Sequence, residues 1–214
     1  MEPTLANQLD QIGGRIIDNF RGKYQARDRA LAHGRDIIRH SANAIRAVHR
    51  GDMEEAERLL RTAQLLLADV ESALDRHPDV YHAGFVHDAQ KEYAEACITL
   101  ALVAGRALPD PDQLRVGYAA YLNGAGETVG ELRRQVLDRL RQRETHRCED
   151  LLAAMDDIYS MLVTIDFPDA MTGGLRRTTD SVRGILERTR GDLTMALVQS
   201  TLHERLDKLA GGSE

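Results

Sequence analysis

Four glutamates form two pairs at helical spacing along this chain. Glu92 and Glu95 are three residues apart, and Glu127 and Glu131 are four residues apart. Both pairs lie in stretches whose apolar residues recur with the period of a buried helix. A buried carboxylate is costly unless it is paired, hydrogen-bonded or bound to a cation. Four such groups on two neighbouring helices therefore indicate a site for Mg²⁺ or Mn²⁺, which could support hydrolysis of a phosphodiester.

The residues around the two pairs strengthen this interpretation. Phe85, Ala96 and Val103 lie within roughly 40° of Glu92 on a helical wheel, so Glu92 interrupts an apolar line. The second pair is surrounded by glycines, namely Gly117, Gly124, Gly126 and Gly130. Each glycine inside a helix costs roughly 0.5–1 kcal/mol relative to alanine, so we expect another backbone or a ligand to approach there. The alternative is that these glutamates are ordinary members of solvated helix faces, where the same spacings are common.

Arginines form a stripe on the long first helix. They are Arg35, Arg39, Arg46 and Arg50. The four fall within roughly 60° of one another on the wheel and extend over ~22 Å. Such a stripe could follow a nucleic-acid backbone, and its alternative is a solvated face paired with acids.

The apolar periodicity predicts an all-α fold with seven helices and no strands. The first helix is long, from about residue 3 to 49, and Asp52 and Gly105 are an N-cap and a helix stop. We expect one domain over residues 1–214, with residues 1–14 as a mobile arm and 210–214 as a disordered tail. The net charge of −6 argues against a uniformly basic nucleic-acid coat but is compatible with a local basic stripe. The absence of a leader or a long apolar run predicts a cytoplasmic protein with no membrane contact, and two cysteines without ligand spacing predict no disulfide or zinc.

Two other carboxylate-rich enzyme classes fit the glutamate spacing less well. Di-iron bundles need Glu-x-x-His pairs, and neither glutamate pair is followed by a histidine at that spacing. All-α nucleotide pyrophosphohydrolases carry ExxE on one helix and ExxD on the next, a pattern from which Glu127 and Glu131 depart.

Six segments in order along the chain resemble the translin/Trax family. They are residues 39–51, 83–95, 121–134, 155–159, 166–170 and 175–193. The resemblance implies a seven-helix subunit that assembles into a closed, hollow octamer with nucleic acid inside. In Trax, the translin-associated factor X, acidic residues in an ExxE and a DxxxE pattern hold Mg²⁺ for endoribonuclease activity. These positions correspond to Glu92, Glu95, Glu127 and Glu131 here.

The resemblance is closer to Trax than to translin, because all four of these positions are acidic. Glu127 stands where the Trax pattern has Asp, one methylene shorter. Translin's basic stretch is only faintly echoed, by His82, His87 and Lys91. We therefore predict a homo-octameric, Mg²⁺- or Mn²⁺-dependent endoribonuclease for single-stranded RNA, with the four arginines on the backbone. The alternative is a non-catalytic shell that binds single-stranded RNA or DNA.

Overall fold

The computed structural model describes residues 4–211, and within them every regular element is a helix. The predicted all-α fold is confirmed, and so is the long first helix. Nine helices lie within residues 4–211: α1 (Leu5–His49), α2 (Met53–Leu74), α3 (Pro78–Tyr81), α4 (Gly84–Ala104), α5 (Pro111–Leu114), α6 (Tyr118–Arg141), α7 (His146–Val163), α8 (Asp169–Thr172) and α9 (Leu175–Gly211). No helix in this part of the chain is both long and apolar enough to cross a membrane.

The helix ends follow the predicted capping chemistry. The Asp52 side chain accepts a hydrogen bond of 3.1 Å from the backbone N–H of Glu55, at the start of α2. Gly105 adopts a left-handed conformation (φ 66°) and ends α4.

The number of helices within residues 4–211 differs from the expected seven for two reasons. Three single-turn helices were not expected, and the last helix is one undivided element. A capping box between Asp110 and Gln113 forms α5, and Arg115, with φ 56°, separates it from α6. Arg143, with φ 62°, separates α6 from α7. The last helix, α9, is continuous through Gly184 and Gly191.

The structure describes most of the predicted N-terminal arm but little of the predicted C-terminal tail. Residues 5–14 are helical and continuous with α1, through the glycine pair at 13 and 14. Mobility of this arm stays a prediction. Most of the predicted tail, residues 212–214, lies outside the described residues, as do residues 1–3.

The packing order of the helices brings the glutamate-bearing helices together. Helix α1 lies against α2 and α4, α4 lies against α6, and α6 packs on α7 and α9. The crossing of α4 and α6 is very close at Gly124, where a Cβ atom would lie 2.7 Å from the Lys91 carbonyl oxygen and 3.0 Å from the Glu95 nitrogen. At Gly126 a Cβ atom would clash with the side-chain methyl group of Thr178 on α9. The expected approach of another backbone is confirmed at Gly124, whereas the neighbour of Gly126 is a side chain and Gly130 faces open space.

Candidate metal centre

Three carboxylates from two helices converge beside the close helix crossing. Glu92 and Glu95 come from α4 and Glu127 comes from α6. One oxygen of each lies within 4.8 Å of the others. The crossing at Gly124 lies against the turn of α4 that carries the first pair. A side chain at position 124 would push the helices apart, so this glycine sets the separation of the carboxylates.

Burial makes this cluster electrostatically unfavourable without a cation. Glu95 is only 7% exposed. Burial, reinforced by the charges of Glu92, Glu127 and Glu131, raises the pKa of Glu95 to about 8. Burial also raises the pKa of Glu92, against the opposing effect of Lys91. Oxygen ligands that are short of positive charge fit Mg²⁺ or Mn²⁺ by their chemistry.

A lysine lies among the carboxylates. The Nζ atom of Lys91 is 2.7 Å from Oε1 of Glu127 and 3.5 Å from Oε1 of Glu92. Burial acts to lower the pKa of Lys91, but the hydrogen bond and charge of Glu127 outweigh it and raise the pKa overall. The sequence offered Lys91 only as a faint echo of translin's basic stretch, whereas the structure makes it a direct partner of two candidate ligands.

The fourth predicted ligand, Glu131, lies beside the three converging groups and has a different partner. Its carboxylate hydrogen-bonds Nε2 of His49, at the end of α1. The side-chain amide nitrogen of Gln135 lies 2.8 Å from Nδ1 of the same ring. An amide nitrogen can only donate a hydrogen bond, so Nδ1 of His49 is the acceptor. The ring proton is therefore on Nε2, and Nε2–H donates the hydrogen bond to Glu131. This hydrogen bond lowers the pKa of Glu131, while the charge of Glu131 still acts on Glu95.

His49 is the functional candidate that the sequence interpretation missed. A histidine at a helix end suggested a cap or a surface residue, yet its side chain is only 4% exposed. One signal could have revealed it. His49 falls within roughly 40° of Ile38 and Ile45 on the wheel of α1, on the arc that faces the core.

The arginine stripe lies on the surface, as predicted. All four of its guanidinium groups are on exposed residues of α1 or its C-cap. Arg39 pairs with Asp36 at 2.9 Å, and Arg46 donates to Asn43 at 2.6 Å. These partners lie within the same helix, so the stripe stays open to solvent along its outer side.

Comparisons with known proteins identify the family. No family model matches the chain. The structure of AfC3PO in complex with duplex RNA is 34% identical, with a TM-score of 0.80, over 90% of this chain and 97% of that chain. A crystal structure of AfC3PO is also 34% identical, with a TM-score of 0.79, over 90% and 98% of the two chains. C3PO is the complex of translin and Trax. The chain belongs to the translin/Trax family.

Two more distant relatives cover the chain equally well. The crystal structure of apo-NeC3PO has a TM-score of 0.74 at 20% identity, over 91% of this chain and all of that chain, which shows the shared fold. An uncharacterised protein of Methanocaldococcus jannaschii is 28% identical over 199 residues, which are 92% of this chain and 88% of that protein. The translin/Trax similarity therefore extends over nearly the whole chain, including both helices that carry the carboxylates.

Proposed function

We propose that this translin/Trax protein is a Mg²⁺-dependent endoribonuclease that cleaves single-stranded RNA inside a closed homo-oligomeric shell. The observation that carries the proposal is the convergence of Glu92, Glu95 and Glu127 within 4.8 Å. Their donor chemistry fits Mg²⁺ or Mn²⁺, and burial together with the neighbouring carboxylates raises the pKa of Glu95 to about 8, so a divalent cation there would stabilise its charged form.

Each residue of the site has a distinct part in this mechanism. Glu92, Glu95 and Glu127 would hold the ion, with Glu131 completing the set. When bound, the ion polarises the scissile phosphate and lowers the pKa of a bound water. The Nε2–H group of His49 donates a hydrogen bond to Glu131, which keeps that carboxylate ionised and oriented. The exposed arginine stripe would hold the phosphate backbone through charge.

Exposed apolar helix faces support self-assembly, including the proposed homo-octamer. Large apolar side chains lie exposed at one-turn intervals near the start of α1 and in the last part of α9. They are Leu5, Leu9, Ile12, Ile16 and Phe20 on α1, and Met195, Val198, Leu202 and Leu206 on α9. Each set falls within roughly 80° on its helical wheel. Continuous apolar faces of this kind mark interaction sites in folded proteins.

The RNA form is part of the test, because the relative AfC3PO was crystallised with duplex RNA. The proposal for this chain is a preference for single strands. A non-catalytic binding shell is the second candidate. The contacts of Lys91 favour it, because they give two of the acids a partner that needs no metal.

The experiment is cleavage of end-labelled single-stranded and duplex RNA of the same sequence, with Mg²⁺, Mn²⁺ or EDTA. The variant Glu127→Gln/Glu131→Gln is compared with Glu187→Gln, a carboxylate that pairs with Arg183 on α9. We expect metal-dependent cleavage of the single strand by the wild type and by the control, and loss of cleavage in the double variant with assembly retained. If the wild type binds RNA but does not cleave it, the nuclease proposal is wrong and the protein is a non-catalytic binding shell. Hydrolysis of free nucleoside triphosphates, with RNA left intact, would support a pyrophosphohydrolase instead.

A further inference from the structure

Lys91 already occupies part of the space in which a metal ion would bind. Its ammonium group contacts the Oε1 atoms of Glu127 and Glu92, and these two residues supply two of the three converging carboxylates. The Lys91 side chain is 20% exposed and that of Glu127 is 40% exposed, so solvent screens these contacts only in part. A divalent cation held by the same carboxylates would compete with the ammonium for their oxygens.

We propose that Lys91 is a resident cation that the metal must displace, so that metal binding at this site is an exchange of an ammonium for a divalent ion. The inference rests on the proposed function, because it concerns the same carboxylates. It adds a determinant of metal affinity that the carboxylates alone do not provide.

One observation and one physical argument support the exchange. First, the contact with Glu127 is as short as a strong charge-assisted hydrogen bond, so it is not an incidental approach. Second, the positively charged ammonium would lie within a few ångströms of the bound ion if it stayed in place. Like charges at such separation repel strongly in a partly buried site, so the lysine has to leave for the ion to enter.

The side chain at position 127 contributes to this exchange. Glu127 makes the shorter of the two contacts with the ammonium group, 2.7 Å against 3.5 Å for Glu92. The effect of removing Lys91 should therefore depend on Glu127. In a Glu127→Gln background, the gain in metal affinity from Lys91→Gln should shrink, because the main contact is already lost.

The test is the dissociation constant for Mn²⁺, measured by electron paramagnetic resonance on the intact assembled protein without RNA. The variants are Lys91→Gln, Lys91→Arg and Lys23→Gln. Lys23 is a matched control because it pairs with Asp79 at 2.8 Å, on α1 and α3. We expect Lys91→Gln to tighten Mn²⁺ binding about tenfold, equivalent to about 1.4 kcal/mol. Lys91→Arg and Lys23→Gln should bind as the wild type does.

The outcomes separate this inference from the proposed function. Unchanged or weaker Mn²⁺ binding by Lys91→Gln, with a wild type that binds, overturns the exchange and leaves the metal site in place. No Mn²⁺ binding by the wild type or by Lys91→Gln overturns both. Mn²⁺ binding by Lys91→Gln but not by the wild type supports the exchange, since the Lys91 ammonium then excludes the ion completely.

A second measurement uses the wild type and does not depend on the variants folding. The chain contains three lysines, Lys23, Lys91 and Lys208, so acetylation of each can be followed separately by mass spectrometry. Displacement should free the Lys91 ammonium and raise its acetylation rate several-fold when Mn²⁺ is added, with the rate at Lys23 unchanged. An unchanged rate at Lys91, at Mn²⁺ concentrations that fill the site, would overturn the exchange.

Discussion

Replacing Glu95 by glutamine should stabilise the metal-free protein, and should do so increasingly as the pH rises. The ordinary pKa of this carboxyl is 4.5, and burial with three neighbouring carboxylates raises it to about 8 in the folded protein. Between these two values the folded state retains a proton that the unfolded chain has released. The free energy of unfolding therefore falls as the pH rises through this range and becomes level above it.

The structure also gives the size of this effect. Keeping the carboxyl ionised in the fold at high pH costs at most about 5 kcal/mol, the equivalent of a pKa change from 4.5 to about 8. Water reaches the neighbouring Glu127, whose side chain is 40% exposed, so the realised cost is smaller. We expect Glu95→Gln to have nearly the wild-type stability at pH 5 and to exceed it by about 2–4 kcal/mol at pH 9.

The assay is urea unfolding in EDTA from pH 5 to 9, at one protein concentration because assembly contributes to stability. The difference between variant and wild type cancels the other titrating groups. Glu131→Gln is the control of opposite sign. The pKa of Glu131 is lowered by His49, so its charge stabilises the fold above pH 4.5, and this stabilisation is lost only as the pH falls through the lowered value. Its removal should therefore destabilise the fold at pH 5, and this cost should shrink as the pH rises, because one of the charges that raise the pKa of Glu95 is also removed. A Glu95→Gln difference that does not change between pH 5 and 9 would refute the account of a buried, destabilised carboxyl.

Three further predictions concern the crossing, the histidine and the arginines. Gly124→Ala should lower the free energy of unfolding by about 2 kcal/mol or more, because its Cβ would clash with backbone atoms of α4. Gly130→Ala, whose added methyl group meets open space, should raise the free energy of unfolding by up to about 1 kcal/mol. Equal free energies of unfolding for the two variants in chemical denaturation would contradict the packing argument. His49→Ala should weaken Mn²⁺ binding about 10- to 100-fold because it frees Glu131, with His49→Gln partly restoring affinity; equal affinities in titrations of all three proteins would exclude this positioning role. Changing all four arginines of the stripe to glutamine should lower the slope of log affinity against log salt for single-stranded RNA by about 3, and an unchanged slope would remove the stripe from the RNA-binding surface.

The sequence by itself was sufficient for the helical architecture and for three of the site's acids. Helix formation depends on local features, such as the apolar period, the cap at Asp52 and the left-handed stop at Gly105, and all of these are visible in consecutive residues. The spacing of Glu92 and Glu95 also follows from one helix. The glycines near Glu127 correctly indicated a close approach, because only a missing side chain permits two helix backbones to meet as they do at Gly124.

The partners of those acids were decided by the tertiary structure alone. His49 and Glu131 are 82 residues apart, and Lys91 and Glu127 are 36 residues apart. No local pattern specifies which side chains meet across such separations, because the packing of α4 between α1 and α6 determines it. The same packing turns Glu95 inward and leaves Glu127 at the surface. The charges were therefore evident from the residue types, but their burial, their pKa values and their pairing exist only in the folded protein.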